Sequence, residues 1–153
     1  MTQRINYYAT CPRAVEILMQ QEQYLRTQFS DSAHVSIELW ELVKLRVSQI
    51  NHCAFCIEMH SYDLLQMGTD VARLLGLDAW QEMPIYTDLE KTVFGFVELL
   101  LSGTPIDDHQ YETVLATLGD KDLVNLTVAV NAINSWNRIA KLFKPVIGSL
   151  RKN

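Results

Sequence analysis

Two cysteines three positions apart, Cys53 and Cys56, are followed four positions later by His60, and Glu41 stands twelve positions before the first cysteine. A Cys-x-x-Cys pair closes a disulfide with little backbone movement, so it can carry two electrons. On an α-helix each residue advances by about 100°, which puts Cys53, Cys56 and His60 within roughly 60° of arc. Cys56 and His60 are an i, i+4 pair, so the imidazole reaches the thiol or a bridging water. The thiolate is the nucleophile, and a helix N-terminus or a nearby imidazolium lowers a cysteine's pKa. A carboxylate from Glu41 beside His60 would set the imidazole tautomer and relay a proton.

The same residues admit other readings. Cys53 and Cys56 suit half of a zinc site, with His60 as third ligand and His52, Glu41 or His34 as fourth. Structural zinc usually takes a second Cys/His pair downstream, and the sequence has none. The two cysteines also suit an inert core pair. Cys11 is left over and reads as a partly buried thiol before Pro12.

The elements that must hold these side chains are helical, with no alternating strand pattern in competition. Pro12 opens a helix to about Gln28, with Val15, Leu18, Met19, Tyr24 and Leu25 on its apolar side. Ser36 caps a second, lined by Trp40, Val43, Val47 and Ile50, and Asn51-His52 breaks it. A third runs from about Cys53 to Met67 and ends at Gly68. Thr69 caps a short fourth ending near Gly76, and Asp78 to Met83 forms one more turn before Pro84. Thr87 to Glu90 is a capping box opening a helix to Leu101, closed by Gly103 and Pro105. Asp107 or Asp108 opens another ending at Gly119, and the last runs from near Asp120 to about Phe143. Leu123, Val124, Leu126, Val128, Ala129, Val130, Ala132 and Ile133 cover most of that last helix, which predicts a central helix or a subunit interface. The fold class is therefore all-α, with about seven to eight helices.

The 153 residues suit one domain spanning 1–153, with no linker or repeat to divide it. The net charge of −5, without a basic stripe, argues against nucleic acid as a partner. No apolar run approaches a membrane span, and the first eight residues lack the apolar region of a secretory signal, so the expectation is a cytoplasmic protein with no membrane partner.

Among other residues, Trp40, Trp80 and Trp136 read as packing. Asn131, Asn134 and Asn137 form a polar stripe that reads as structural, bonding across an interface or lying along a solvated edge. Arg138 reads as a surface ion-pair partner, with Glu41 or Glu38 as the alternative. Glu58 reads as solvated, and His34 and His109 as exposed.

Glu41, eleven intervening residues, then Cys53-x-x-Cys56-x-x-x-His60 resembles the signature of the alkylhydroperoxidase AhpD-like group of the carboxymuconolactone decarboxylase superfamily. Glu41-Leu-Val-Lys-Leu-Arg-Val-Ser-Gln-Ile-Asn51, Ile57-Glu-Met-His60 and Ile133-Asn-Ser-Trp-Asn-Arg138 carry the same likeness, which extends from about Tyr7 to Phe143. The resemblance implies a single-domain, all-helical homo-oligomer, a trimer or hexamer. It also implies thiol peroxidase chemistry without a cofactor. Cys56 is the implied peroxidatic residue and Cys53 the resolving one, with Glu41 and His60 as proton relay. The partners implied are a hydroperoxide substrate and a dithiol reductant or adaptor protein. The chain departs from the best-studied members at Phe55, where they carry a histidine, so a relay through that position cannot operate; His52 could partly substitute, though it reads as a solvated loop residue.

Three rivals stay open. One is a decarboxylating lyase acting on a lactone acid, whose relatives generally lack the cysteine pair. Another is a dithiol/disulfide carrier serving a peroxiredoxin. The third is a zinc-binding module.

Overall fold

The helices begin and end where side chains or left-handed residues satisfy their free backbone groups. The structure, a computed structural model, describes residues 4–151. Residues 1–3 and 152–153, counted above in the N-terminal reading and in the 1–153 domain, lie outside that range. Helix α1 (Tyr7–Thr10) is capped by the Asn6 side chain, which accepts from the Ala9 N–H. Four residues are too few for periodicity to reveal. Helix α2 (Pro12–Ser30) starts on proline, and Cys11 in front of it is exposed rather than partly buried. Only part of the apolar side expected for α2 is inside: Val15 and Leu25 are buried, while Met19 and Tyr24 are exposed.

Helix α3 (Ile37–Ile50) is capped by Ser36, whose hydroxyl accepts from the Leu39 N–H. It ends in a Schellman motif. His52, at φ 54°, donates from its backbone to Gln49, and Cys53 N–H donates to the Ser48 carbonyl at 3.0 Å. Cys53 is also the N-cap of helix α4 (Ala54–Gln66). One residue therefore closes α3 and opens α4. Gly68, at φ +83°, follows the end of α4 as expected. Helix α5 (Val71–Leu75) is capped by Asp70 rather than Thr69, whose hydroxyl instead donates to Glu38. Between Gly76 and Pro84 the regular structure is a single 3-10 turn, Leu77–Ala79. Helix α6 (Asp88–Ser102) has the capping box of Thr87 and Glu90 and ends at the left-handed Gly103. Helix α7 (Asp108–Phe143) carries the break expected at Gly119 as a local kink, φ 72° and ψ 168°, and runs on to a left-handed Lys144 before Pro145.

The described residues contain helices and no strand, so the all-α expectation holds. The main core cluster is contributed mainly by α2, α3, α6 and α7, with Phe29, Trp40, Leu42, Phe94, Leu126 and Ile133 fully enclosed. The central helix is α3, which packs against α4, α7, α6 and α2. Every residue from Leu39 to Leu45 is buried. The last helix, expected to be central or to form a subunit interface, is not buried all round: it keeps an open side, since Val124 is 62% exposed. Burying α3 all round has a chemical consequence: the polar residues on its sequence, Glu41, Lys44 and Ser48, are enclosed with it.

Candidate active site

The tight α3–α4 joint aligns Glu41 with His60. His60 Nδ1 lies 2.9 Å from Glu41 Oε2, and both residues are buried. An ionised carboxylate only accepts, so Nδ1 carries the proton and donates. His60 Nε2 is then the nitrogen left over, buried and without a protein partner. The other Glu41 oxygen receives the ammonium of Lys44, with Nζ 2.5 Å from Oε1. Burial works against charge on Glu41, but the His60 hydrogen bond and the Lys44 cation outweigh it and hold the carboxyl at about 2. Glu41 is therefore an anion throughout the neutral range.

Cys53 and Cys56 are joined as a disulfide, with Cα atoms 5.3 Å apart. Cys53 is not on the helix with Cys56 and His60, as the 100° spacing assumed. It sits in extended backbone at the N-cap, and its sulfur accepts from the Cys56 N–H at 3.4 Å. An N-cap sulfur is where a helix terminus most favours negative charge. Both cysteines are buried, packed with Ala140 and against Phe55.

Cys56, His60, Glu41 and Lys44 all line one cavity of about 610 Å³. Cys53 lies outside that lining. The walls are largely apolar: Tyr7 and Tyr8 from α1, Met19 from α2, Phe55 from α4, and Ile133 and Trp136 from α7. Leu150, beyond α7, also reaches it. Burial, reinforced by Tyr8, raises the Tyr7 hydroxyl above its ordinary pKa, so it faces the cavity as a neutral group. Trp40 also lines the cavity, with the Lys44 ammonium 3.6 Å from its ring centroid and Phe29 tilted against it at 5.3 Å. Trp40 and Trp136 pack in or against the core, as expected, and also line the cavity, whereas Trp80 packs on Phe94 and donates to Glu98.

The zinc set foreseen as an alternative is not assembled. His34 is held by Asp122 at 2.9 Å, and His52 is exposed on the α3–α4 turn. Glu41, His60 and Asp63 do place donor atoms within 4.8 Å of one another. Glu41, however, already carries an ammonium on one oxygen and an imidazole N–H on the other. A second cation there would meet Lys44, so the arrangement suits proton transfer better than metal binding.

The asparagine stripe is structural, within the chain. Asn51 Nδ2 donates to Asn134 Oδ1 at 2.7 Å and to Asn137 Oδ1 at 2.9 Å. Asn137, fully buried, donates to Ser48 Oγ at 3.0 Å. Asn131 is exposed and takes its place on the solvated edge. Arg138 is exposed too, and the acids suggested for it are engaged elsewhere, Glu38 by Arg73 and Glu41 by Lys44. Glu58 is not simply solvated but pairs with Arg151. Lys44 is the residue of this cluster that sequence reasoning missed. Its one signal was its position three residues after Glu41, on the face that Glu41 itself occupies.

Comparison with known proteins identifies the family and the fold. Residues 16–99 match the model of the carboxymuconolactone decarboxylase family. YdfG of Bacillus subtilis, an uncharacterized protein, is 36% identical over 142 residues, covering 92% of this chain and 93% of its own. A crystal structure from Agrobacterium tumefaciens, of a protein of unknown function provisionally assigned to antioxidant defence as AhpD, superposes with a TM-score of 0.84 at 35% identity. The match covers 95% of this chain and 99% of that one. An uncharacterized peroxidase-related protein from Silicibacter sp. TM1040 shares the fold, with a TM-score of 0.80 at 18% identity, over 93% of this chain and 74% of its own.

Proposed function

The chain belongs to the carboxymuconolactone decarboxylase family, in its AhpD-like group, and from that premise we propose that it is a thiol-dependent peroxidase that reduces hydroperoxides. The observation that carries this reading is the division of labour between the sulfurs. Cys56 opens on the cavity beside an imidazole whose Nδ1 is fixed by a carboxylate, and Cys53 stands at the helix cap within bonding distance of it.

In the reduced enzyme His60 Nε2 takes the Cys56 thiol proton. The thiolate attacks the O–O bond of the hydroperoxide and keeps one oxygen as a sulfenic acid. The departing alkoxide takes the proton from His60 and leaves as an alcohol. Cys53 then attacks the Cys56 sulfur, forming the disulfide and releasing water. An external dithiol restores both thiols by exchange. The sum is one hydroperoxide and one dithiol converted to an alcohol, water and a disulfide. Phe55 supplies no proton, so His60 is the cavity's imidazole for both transfers. The N-cap favours the Cys53 thiolate, as a resolving nucleophile requires.

The test is peroxide consumption with a small dithiol and no partner protein, in wild type, Cys56→Ser and Cys53→Ser. Wild type should turn over with loss of two thiols. Cys56→Ser should be inert, and Cys53→Ser should trap a sulfenic acid on Cys56. Sulfenic acid on Cys53 in the Cys56→Ser variant, with turnover retained, would reverse the assignment. Thiol exchange without peroxide turnover would favour the dithiol carrier.

A further inference from the structure

Lys44 has no part in the sequence of steps above, yet it is among the most enclosed charges of the described residues, 5% exposed. Its ammonium contacts Glu41 Oε1 at 2.5 Å, Glu22 Oε2 at 3.6 Å and the Trp40 ring at 3.6 Å from the centroid. Enclosing a lysine strips away its hydration, a cost only partly returned by its partners. A methionine would fill the same space beside Trp40 without that cost. The compensation lies in what the ammonium does to its neighbour.

Glu41 is 2% exposed, and a carboxyl so enclosed tends to hold its proton. A protonated Glu41 can turn its O–H toward His60 and become the donor. Nδ1 would then have to accept, and the ring proton would move to Nε2. In that tautomer Nε2 has no lone pair for the Cys56 thiol. Hydrogen-bond geometry alone allows both states. The ammonium against Oε1 selects one, because a positive charge in contact with the carboxyl group favours its anion over the neutral acid.

We propose that Lys44 is a positioning residue: by holding Glu41 as an anion, it fixes the His60 proton on Nδ1 and leaves Nε2 free to take the thiol proton of Cys56. This assignment rests on the peroxidase reading of the same site. The charged groups facing it are Glu22 and Arg26 from α2, Glu41 on α3, and His60 and Asp63 from α4. Helices α1 and α7 present the neutral Tyr7, Tyr8, Ile133, Trp136 and Ala140. Glu22 gives the ammonium a second acid on another helix, so Lys44 also ties α2 to the relay.

The experiment reads the ring and the thiol separately from peroxide turnover. In the reduced protein, 15N shifts of the His60 ring should report the Nδ1–H tautomer at neutral pH; the Nε2–H tautomer in wild type would overturn the proposal without any variant. Iodoacetamide alkylation of Cys56, followed against pH, should be near wild type in Lys44→Arg. In Lys44→Gln it should fall at least about tenfold at pH 7, with its acid limb moved upward. In a Glu41→Gln background the same Lys44→Gln change should cost little more, since Lys44 acts through Glu41. An unchanged profile and ring shifts in Lys44→Gln, or an equal loss in the Glu41→Gln background, would overturn it. Absence of peroxide turnover in wild type would instead remove the peroxidase reading, while the tautomer and alkylation results still decide Lys44.

Discussion

Helix α3 carries two enclosed polar clusters, and they are built on opposite plans. One is charged: Lys44, Glu41 and His60, ending in a nitrogen with no partner. The other, one turn further on, is neutral. Lys44 O accepts from Ser48, Ser48 from Asn137, and Asn137 and Asn134 from Asn51. The neutral chain ties the end of α3 to α7 and leaves little hydrogen-bonding capacity unused, as expected of a network that specifies a packing. The charged chain stops short, at a buried imidazole nitrogen with no protein partner. Enclosed polar groups are ordinarily satisfied, so under the proposed function the unfinished cluster serves chemistry and the finished one architecture.

The comparison breaks most decisively by mutation of the charged cluster. His60→Ala and Glu41→Gln should each lower peroxide turnover about 10²–10⁴-fold, the range of a lost general base or its support. Their helical circular dichroism should be retained. Comparable turnover in either variant would mean that this cluster is also architectural.

Asn137→Ala should do the converse. It leaves Asn51 and Ser48 short of a partner and should destabilise the fold by about 2–3 kcal/mol in urea denaturation. Cys56 alkylation, measured where the variant is folded, should stay within a few-fold of wild type.

Acid separates the clusters by sign. The Glu41 carboxyl is lower in the folded chain, about 2, than its ordinary 4.5. Its contribution to stability, on the order of 3 kcal/mol, is therefore fully present above pH 4.5 and lost as pH falls toward 2. The stability gap between wild type and Glu41→Gln should narrow between pH 5 and pH 3. The gap for Asn137→Ala should not, since no member of that cluster titrates there. The smallest effect belongs to neither cluster. Ser36→Ala removes the cap of α3 and should cost about 1 kcal/mol at every pH.

Much of this was legible in the residues. Glu41, Cys53, Cys56 and His60 stood out because chemistry restricts which side chains can do their work. The ends of α3, α4 and α6 were marked by Ser36, Gly68 and the Thr87–Glu90 box because caps act over a single turn. What escaped depends on tertiary surroundings. A lysine three residues after a glutamate reads as an exposed pair on any ordinary helix. Lys44 is enclosed only because α2, α4, α6 and α7 surround α3. The cavity was invisible for the same reason, since its walls come from α1, α2, α4, α7 and Leu150. The apolar stretch around Val124 suited a central helix or a subunit interface, and periodicity alone does not separate the two; the centre is α3, and Val124 is exposed.

The joint at Cys53 sets a phase as well as a direction. With one residue serving both helices, the segment between Ile50 and Ala54 has no slack. Inserting or deleting a single residue there would break the Schellman motif or the cap and change the bearing of α4 on α3, carrying His60 away from Glu41 even if every helix still formed. In this joint the number of residues is therefore under tighter constraint than most of their identities, and its length is as much a component of the site as either sulfur.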